Sequence, residues 1–289
     1  MLSERTNQNI LGLIHIVSAV FFTPVLARMV YILIANKEFY KYECYRIIAQ
    51  QIILHVICGI CYIFYGFGII LDSELWVLVK AAHFLCITSF LSIVTMTLVL
   101  AFNRFCLICR CAIPKWFTAL LQLYTWILFI VVIGIMFSPL AKITLGWDKY
   151  SISYDKTVWF SANFGMFRFY YCIVVICAAL IVYVLIAAYL IYRKFLWQTT
   201  STTKTERSIL IQAGLTFLCN FLTVIVYNYF YKILILTPWS KNAYALFQMT
   251  NFMYLPAIVY LVFNRKLRTQ VWSCDKINIA THIFVTFSK

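Results

Sequence analysis

Seven stretches of this sequence are mainly apolar over twenty residues or more, and no other feature constrains the fold as tightly. They run approximately Ile10 to Ala35, Arg46 to Leu71, Leu75 to Phe105, Trp116 to Pro139, Arg168 to Arg193, Arg207 to Leu236 and Tyr244 to Phe263. An α-helix rises about 1.5 Å per residue, so about 20 apolar residues span the hydrocarbon core of a bilayer. In lipid the backbone must satisfy its own hydrogen bonds, which restricts an apolar crossing segment to a helix or a closed barrel. With 64% hydrophobic and 11% charged residues, the 289-residue chain carries more apolar surface than a soluble domain of that size buries. The expected fold is all-α: seven membrane-crossing helices in one bundle over residues 10–264, with a short leading segment at 1–9 and a tail at 265–289.

Charge sets the expected orientation. Fifteen of the 24 Lys and Arg residues fall at one set of helix ends and eight at the other, and the richer set is the cytosolic one by the positive-inside rule. Seven crossings then place the N-terminus outside and the C-terminus in the cytosol. The first segment follows only nine residues and has no small-residue cleavage site, so it reads as a retained span and not as a signal peptide. A net charge of +15 scattered over helix ends suits contact with anionic inner-leaflet lipid and forms no stripe for a nucleic acid.

Catalysis and metal chemistry find no constellation. His15, His55, His83 and His282 are far apart, and all nine acidic residues lie in loops or tails. Cysteines fall within spans or on the reducing cytosolic side. Those of CLICRC, residues 106–111, have a CxxC spacing that could bind zinc but lack a second ligand pair or a nearby His, so acylation or simple packing beside the membrane are the stronger readings. The expectation is a non-enzyme without cofactor or metal.

Two strings carry more information. In NFMYLPAIVYLVFNRKLR, residues 251–268, Pro256 interrupts an apolar helix and removes one backbone hydrogen bond, and Tyr260 lies one turn further on nearly the same face. The bland reading of Pro256 is static packing. Beyond it, Arg265, Lys266 and Arg268 mark the membrane surface, and the spacing of Leu267, Val271 and Trp272 predicts a short interfacial helix, with Cys274 as a candidate lipid anchor. The third segment runs unbroken into Asn103, Arg104 and Phe105, which holds a guanidinium at the cytosolic mouth. It serves there either as a partner-gripping fork or as an ordinary anchor.

Together with ECYRII at 43–48, these strings resemble the seven-helix G-protein-coupled receptors, and specifically the nematode chemoreceptors of serpentine receptor class T. Asn103-Arg104-Phe105 is similar to the third-helix Asp-Arg-Tyr motif, and LPAIVYLVFN to the seventh-helix Asn-Pro-x-x-Tyr motif. The resemblance implies a plasma-membrane receptor, in a sensory-neuron cilium by family, that binds a small organic ligand between the outer helix halves and activates a heterotrimeric G protein. It implies that Arg104 faces the G protein and that Pro256 and Tyr260 belong to a switch. Asn103 stands where the family has Asp and Leu255 where it has Asn, so the resemblance supplies no acidic partner for Arg104.

Depth counting adds two expectations. His55, Thr95 and Leu255 each lie nine residues from the inner surface, which predicts a polar network among His55, Ser92 or Thr95, and Asn251 near Pro256. The alternative is a histidine satisfied by one carbonyl. Toward the outer side, Lys80, His83, Phe84, Ile87, Tyr171, Tyr227, Tyr231, Phe247 and Gln248 are candidates to line a ligand cavity. The competing function is a multi-pass transporter or channel, for which repeated halves or midplane charges would be the mark.

Overall fold

The computed structural model describes residues 4–71, 76–110, 114–145, 152–155, 157–197, 204–233, 243 and 246–272. In chain order the helices are α1 (Glu4–Ala35), α2 (Lys37–Tyr40), α3 (Glu43–Leu71), α4 (Trp76–Cys109) and α5 (Lys115–Phe137). After them come α6 (Trp159–Trp197), α7 (Lys204–Ile233), a π-helical turn (Thr250–Tyr254), α8 (Leu255–Phe263) and α9 (Arg265–Trp272).

Six stretches of the described residues are long and apolar enough to cross a membrane: Arg5–Ala35, Glu43–Leu71, Val77–Cys109, Trp116–Phe137, Trp159–Arg193 and Leu246–Phe263. The sixth of the expected segments falls on α7, a 30-residue helix whose described apolar part, Gly214–Val226, is shorter than a membrane crossing needs. The protein is therefore a membrane-type helical bundle.

Helix α4 is its axis: 78% of its most apolar window is buried, against 17% for α5. Leu120, Leu123, Ile127, Ile130 and Val131 of α5 all stand exposed, as lipid-facing side chains do. Helices α1 and α3 approach through small residues. A Cβ on Gly66 would meet the Gly12 carbonyl oxygen at 2.7 Å, so glycine is required where these backbones cross.

Between α5 and α6 the chain forms an antiparallel ribbon that the apolar pattern does not announce. Strand β1 (Ile143–Leu145) pairs with β2 (Ile152–Tyr154) in the register Ile143↔Tyr154, Thr144↔Ser153 and Leu145↔Ile152. The Asp155 amide donates to the Lys142 carbonyl at 2.9 Å and closes its open end. Helix α6 starts at Trp159, nine residues ahead of the expected Arg168, and α1 starts within the leading segment, at Glu4.

Candidate functional site

The site is built around the last long apolar stretch. Its π-helical turn closes with the Leu255 amide donating to the Thr250 carbonyl, five residues back instead of four. Pro256 follows at once and has no amide hydrogen to offer the carbonyl of Phe252, four residues before it. A buried backbone carbonyl without a donor costs about 1–3 kcal/mol, so a neighbour has to supply one. That neighbour is His55 of α3, whose Nδ1 lies 2.9 Å from the Phe252 oxygen. Because a carbonyl only accepts, Nδ1 carries the proton in this contact, and Nε2 is left as an acceptor.

Other helices meet the same turn. Tyr254 OH hydrogen-bonds Ser18 Oγ of α1, and the Phe252 ring stands edge-on to Phe90 of α4 with centroids 5.3 Å apart. Asn251 Nδ2 donates to Asn220 Oδ1 of α7 at 3.3 Å. Beside the turn is a small cavity lined by Gln51, His55, Asn220, Asn251, Pro256 and Tyr260, among others. All six present amide, imidazole, phenol or apolar groups, with no carboxylate among them.

One turn below Pro256, Tyr260 reaches back across the bundle. Its hydroxyl donates to Gln51 Oε1 at 3.1 Å, and Gln51 Nε2 donates to Thr97 Oγ1 at 3.2 Å. The Thr97 hydroxyl in turn donates to the Ile93 carbonyl at 2.9 Å. This chain runs from α8 through α3 to α4.

Near the C-terminal end of α4, Asn103 and Arg104 point to different neighbours, as adjacent helical residues must. Asn103 Nδ2 donates to Glu43 Oε2 of α3 at 3.0 Å, whereas Arg104 Nη1 donates to Tyr183 OH of α6 at 3.2 Å. The Arg104 side chain is 5% exposed, the Cys44 thiol lies beside it, and its Nε has no partner among the described residues. Phe105 is half-buried against the cluster formed by Ala101, Tyr183, Ile186 and their neighbours.

The expected inner network divides into separate pairs. His55 takes the Phe252 carbonyl and Asn251 takes Asn220, while Thr95 donates to the Leu91 carbonyl and contacts Tyr171 OH, each at 2.9 Å. Ser92 Oγ is buried with no partner among the described residues. Of the alternatives for His55, the single carbonyl partner is the one present.

The outer candidates are also dispersed. Phe84 and Ile87 pack with Val132, Met136 and Phe164 in an apolar cluster, and Lys80 Nζ sits 5.5 Å from the Phe84 ring centroid. His83 Nε2 is buried without a partner among the described residues, Tyr171 is taken by Thr95, and Phe247 and Gln248 are half-buried ahead of the π turn. The side chains of Tyr227 and Tyr231, and the whole of Cys274, lie outside the described residues.

Gln51, Thr97, Asn220, Tyr183 and Glu43 are partners that sequence reading passed over. Gln51 had a signal, since it precedes His55 by four residues and so shares its face of α3. Tyr183 had none, being one of several tyrosines on α6. No protein-family model matches the chain, and the comparison with curated proteins gives no match.

Proposed function

We propose that the protein is a seven-helix chemosensory receptor of the plasma membrane, with its N-terminus outside and its C-terminus in the cytosol. It binds a small organic ligand in the outer half of the bundle and activates a heterotrimeric G protein at the inner face. The observation that carries this reading is the repaired break in the last apolar stretch. Pro256 frees the Phe252 carbonyl, His55 holds it, and Tyr260 one turn inward is tied by Gln51 to α4.

Such an arrangement has two discrete states. With the contacts made, α8 is latched to α3. When they part, the π turn and the proline supply the flexing point, and Tyr260 and Arg104 become available at the inner face. Interhelical hydrogen bonds in membranes are worth about 0.6 kcal/mol on average and up to about 1.7. Three or four of them therefore amount to a few kcal/mol. A ligand that reverses a 1:99 equilibrium must supply about 5.5 kcal/mol of differential affinity, which micromolar binding at about 8 kcal/mol accommodates. The latch is thus strong enough to hold a resting state and weak enough for a small molecule to release.

Arg104 is the residue assigned to the G protein. Its planar fork spends one nitrogen on a neutral tyrosine hydroxyl and keeps Nε in reserve, so a partner's backbone carbonyls or carboxylate have a donor to accept from. Helix α9, with Leu267 turned inward and Arg265, Lys266 and Arg268 outward, is assigned to the membrane interface. A broken helix beside a polar cavity also suits a transporter. A coupling ion, however, calls for midplane charge, and the six cavity residues named above offer none.

The test is expression in cells with a calcium or cyclic-nucleotide readout, challenged with volatile and water-soluble small molecules. A response that Arg104→Ala abolishes at unchanged surface level supports the reading. Ligand accumulation in vesicles free of G protein, unaffected by Arg104→Ala, overturns it in favour of transport.

A further inference from the structure

A hydrogen bond at one corner of the bundle joins two basic segments that lie far apart in the sequence. Asn36 caps α2 with its Oδ1, which accepts from the Glu38 amide at 2.9 Å, and its Nδ2 donates to Gln270 Oε1 of α9 at 3.0 Å. Lys37 adjoins one end of this bridge. Lys266 stands one helical turn before Gln270 on the same face of α9, so it flanks the other end. Lys41, one turn after Lys37, and Arg265, next to Lys266, extend the pair.

All four of these cations are exposed. Arg268 is occupied differently: its Nη1 lies 3.3 Å and 3.4 Å from the carbonyls of Val262 and Leu261, where it caps the end of α8. Leu267 is 1% exposed and Val271 packs on the core, so α9 is seated by its apolar edge and its basic side stays turned out. Of the nearby acids among the described residues, Glu43 accepts from Asn103, and Glu38, next to Lys37, is exposed. Tyr40, Tyr42 and Trp272 stand exposed around it, as side chains at headgroup depth do.

The corner is built on α2 and α9, whereas Arg104 is buried on α4 between Tyr183 of α6 and Cys44 of α3. The corner itself adjoins α1, whose exposed Val17, Phe21 and Ile34 face lipid. We propose that Lys37, Lys41, Arg265 and Lys266, aligned by the Asn36–Gln270 bridge, form a binding site for a multiply charged, phosphate-bearing lipid headgroup. Four cations presented from two helices at the end of a lipid-facing edge match an anion that carries several charges and is held at that depth by its own acyl chains. A monovalent headgroup would engage them one at a time. The assignment to the cytosolic leaflet rests on the orientation given above; the site itself does not.

Native mass spectrometry of the full chain in neutral detergent tests it directly, with phosphatidylinositol 4,5-bisphosphate, phosphatidylserine and soluble inositol trisphosphate as probes. The bisphosphate lipid is expected to bind at least tenfold more tightly than phosphatidylserine. Lys37→Gln and Lys266→Gln should each weaken it about fivefold, in line with the usual worth of a basic residue at an anionic membrane surface. Gln270→Ala should weaken it through loss of alignment with all the charges kept, and Arg5→Gln, an exposed charge in the first turn of α1, should leave it unchanged. Equal losses in Arg5→Gln would reduce the effect to bulk charge and overturn the site. Trisphosphate binding as tight as the lipid's would assign the corner to a soluble phosphate and overturn the lipid. The readout needs no G protein, so its failure is separable from failure of the receptor reading.

Discussion

His55 Nδ1 stands 2.9 Å from the carbonyl oxygen of Phe252, the acceptor that Pro256 leaves without its backbone donor. The two residues explain each other. A histidine inside a membrane bundle requires a partner, and a proline inside a helix creates a vacancy four residues back. His55→Leu should therefore cost about 1–3 kcal/mol, the penalty of a buried carbonyl left unsatisfied. In a Pro256→Ala background residue 256 regains an amide hydrogen for Phe252, and the same His55→Leu change should cost under about 1 kcal/mol, the worth of one interhelical bond. Thermal unfolding of the four proteins in detergent measures the coupling. Equal costs in both backgrounds would refute the pairing.

Tyr260 and Gln51 form a second testable pair. Tyr260→Phe removes a donor and leaves Gln51 bonded to Thr97, a loss of about 0.6 kcal/mol. Gln51→Leu breaks both links and strands the Tyr260 hydroxyl, so it should cost more, about 1–3 kcal/mol. Adding Tyr260→Phe to Gln51→Leu should then recover stability, because the stranded hydroxyl is gone. Additive losses in the double variant would show that the two side chains act independently.

Between α4 and α3, the Asn103–Glu43 contact distinguishes hydrogen bonding from charge. Glu43→Gln keeps a carbonyl oxygen to accept from Asn103 Nδ2, whereas Glu43→Ala leaves that buried amide without its acceptor. The Ala variant should lose about 1–3 kcal/mol and the Gln variant well under half of that. If Gln proves as damaging as Ala, the carboxylate charge acts on something besides Asn103, and the nearby Arg104 guanidinium is the first candidate.

The parts of this architecture that come from apolar length were legible in the sequence, because length and composition alone decide whether a helix crosses lipid. The Val77–Cys109 and Trp116–Phe137 stretches agree with the expected segments to within a few residues. The ribbon Ile143–Tyr154 was not legible: each strand is three residues long, too short for alternation to stand out. Depth along a helix could be counted, and His55 does stand beside the Phe252 carbonyl, lining one cavity with Asn251 and Pro256. Direction around the helix could not, and Thr95 shares their depth but turns to Tyr171 on α6. The π turn was invisible for a related reason, since it shifts hydrogen bonds by one residue without altering residue types.

The ribbon supplies a pH dependence. Hydrogen bonds from the Thr157 hydroxyl and amide, at 2.6 Å and 2.9 Å, hold the Asp155 carboxylate below the ordinary range, and Lys142 Nζ at 3.4 Å adds to them. A depressed folded-state value means that the contact contributes fully above the unfolded pKa of about 3.9 and is lost as pH falls through the lower folded value. Amide exchange at Asp155 should be steady, once corrected for intrinsic rates, from neutral pH to about 4 and should accelerate below it. Asp155→Asn should remove that acid step. Persistence of the step in the Asn variant would assign it to another group.

The receptor reading stands on topology before it stands on any side chain. Under the proposed reading, seven crossings would put the two termini in opposite compartments, with α9 and Arg104 on the cytosolic side, where a G protein could reach them. A tag ahead of residue 4 should be accessible to antibody on intact cells, and a tag after the last residue should become accessible only on permeabilisation. Charge predicts the direction: moving basic residues from the inner ends to the outer ends, for example neutralising Lys37 and Lys41 while adding two lysines near residue 4, should reduce the fraction in this orientation. Both tags on one side would mean an even number of crossings. A resting latch at Pro256 would survive that result, but no surface of the bundle could then serve an outer ligand and an inner G protein in the proposed way.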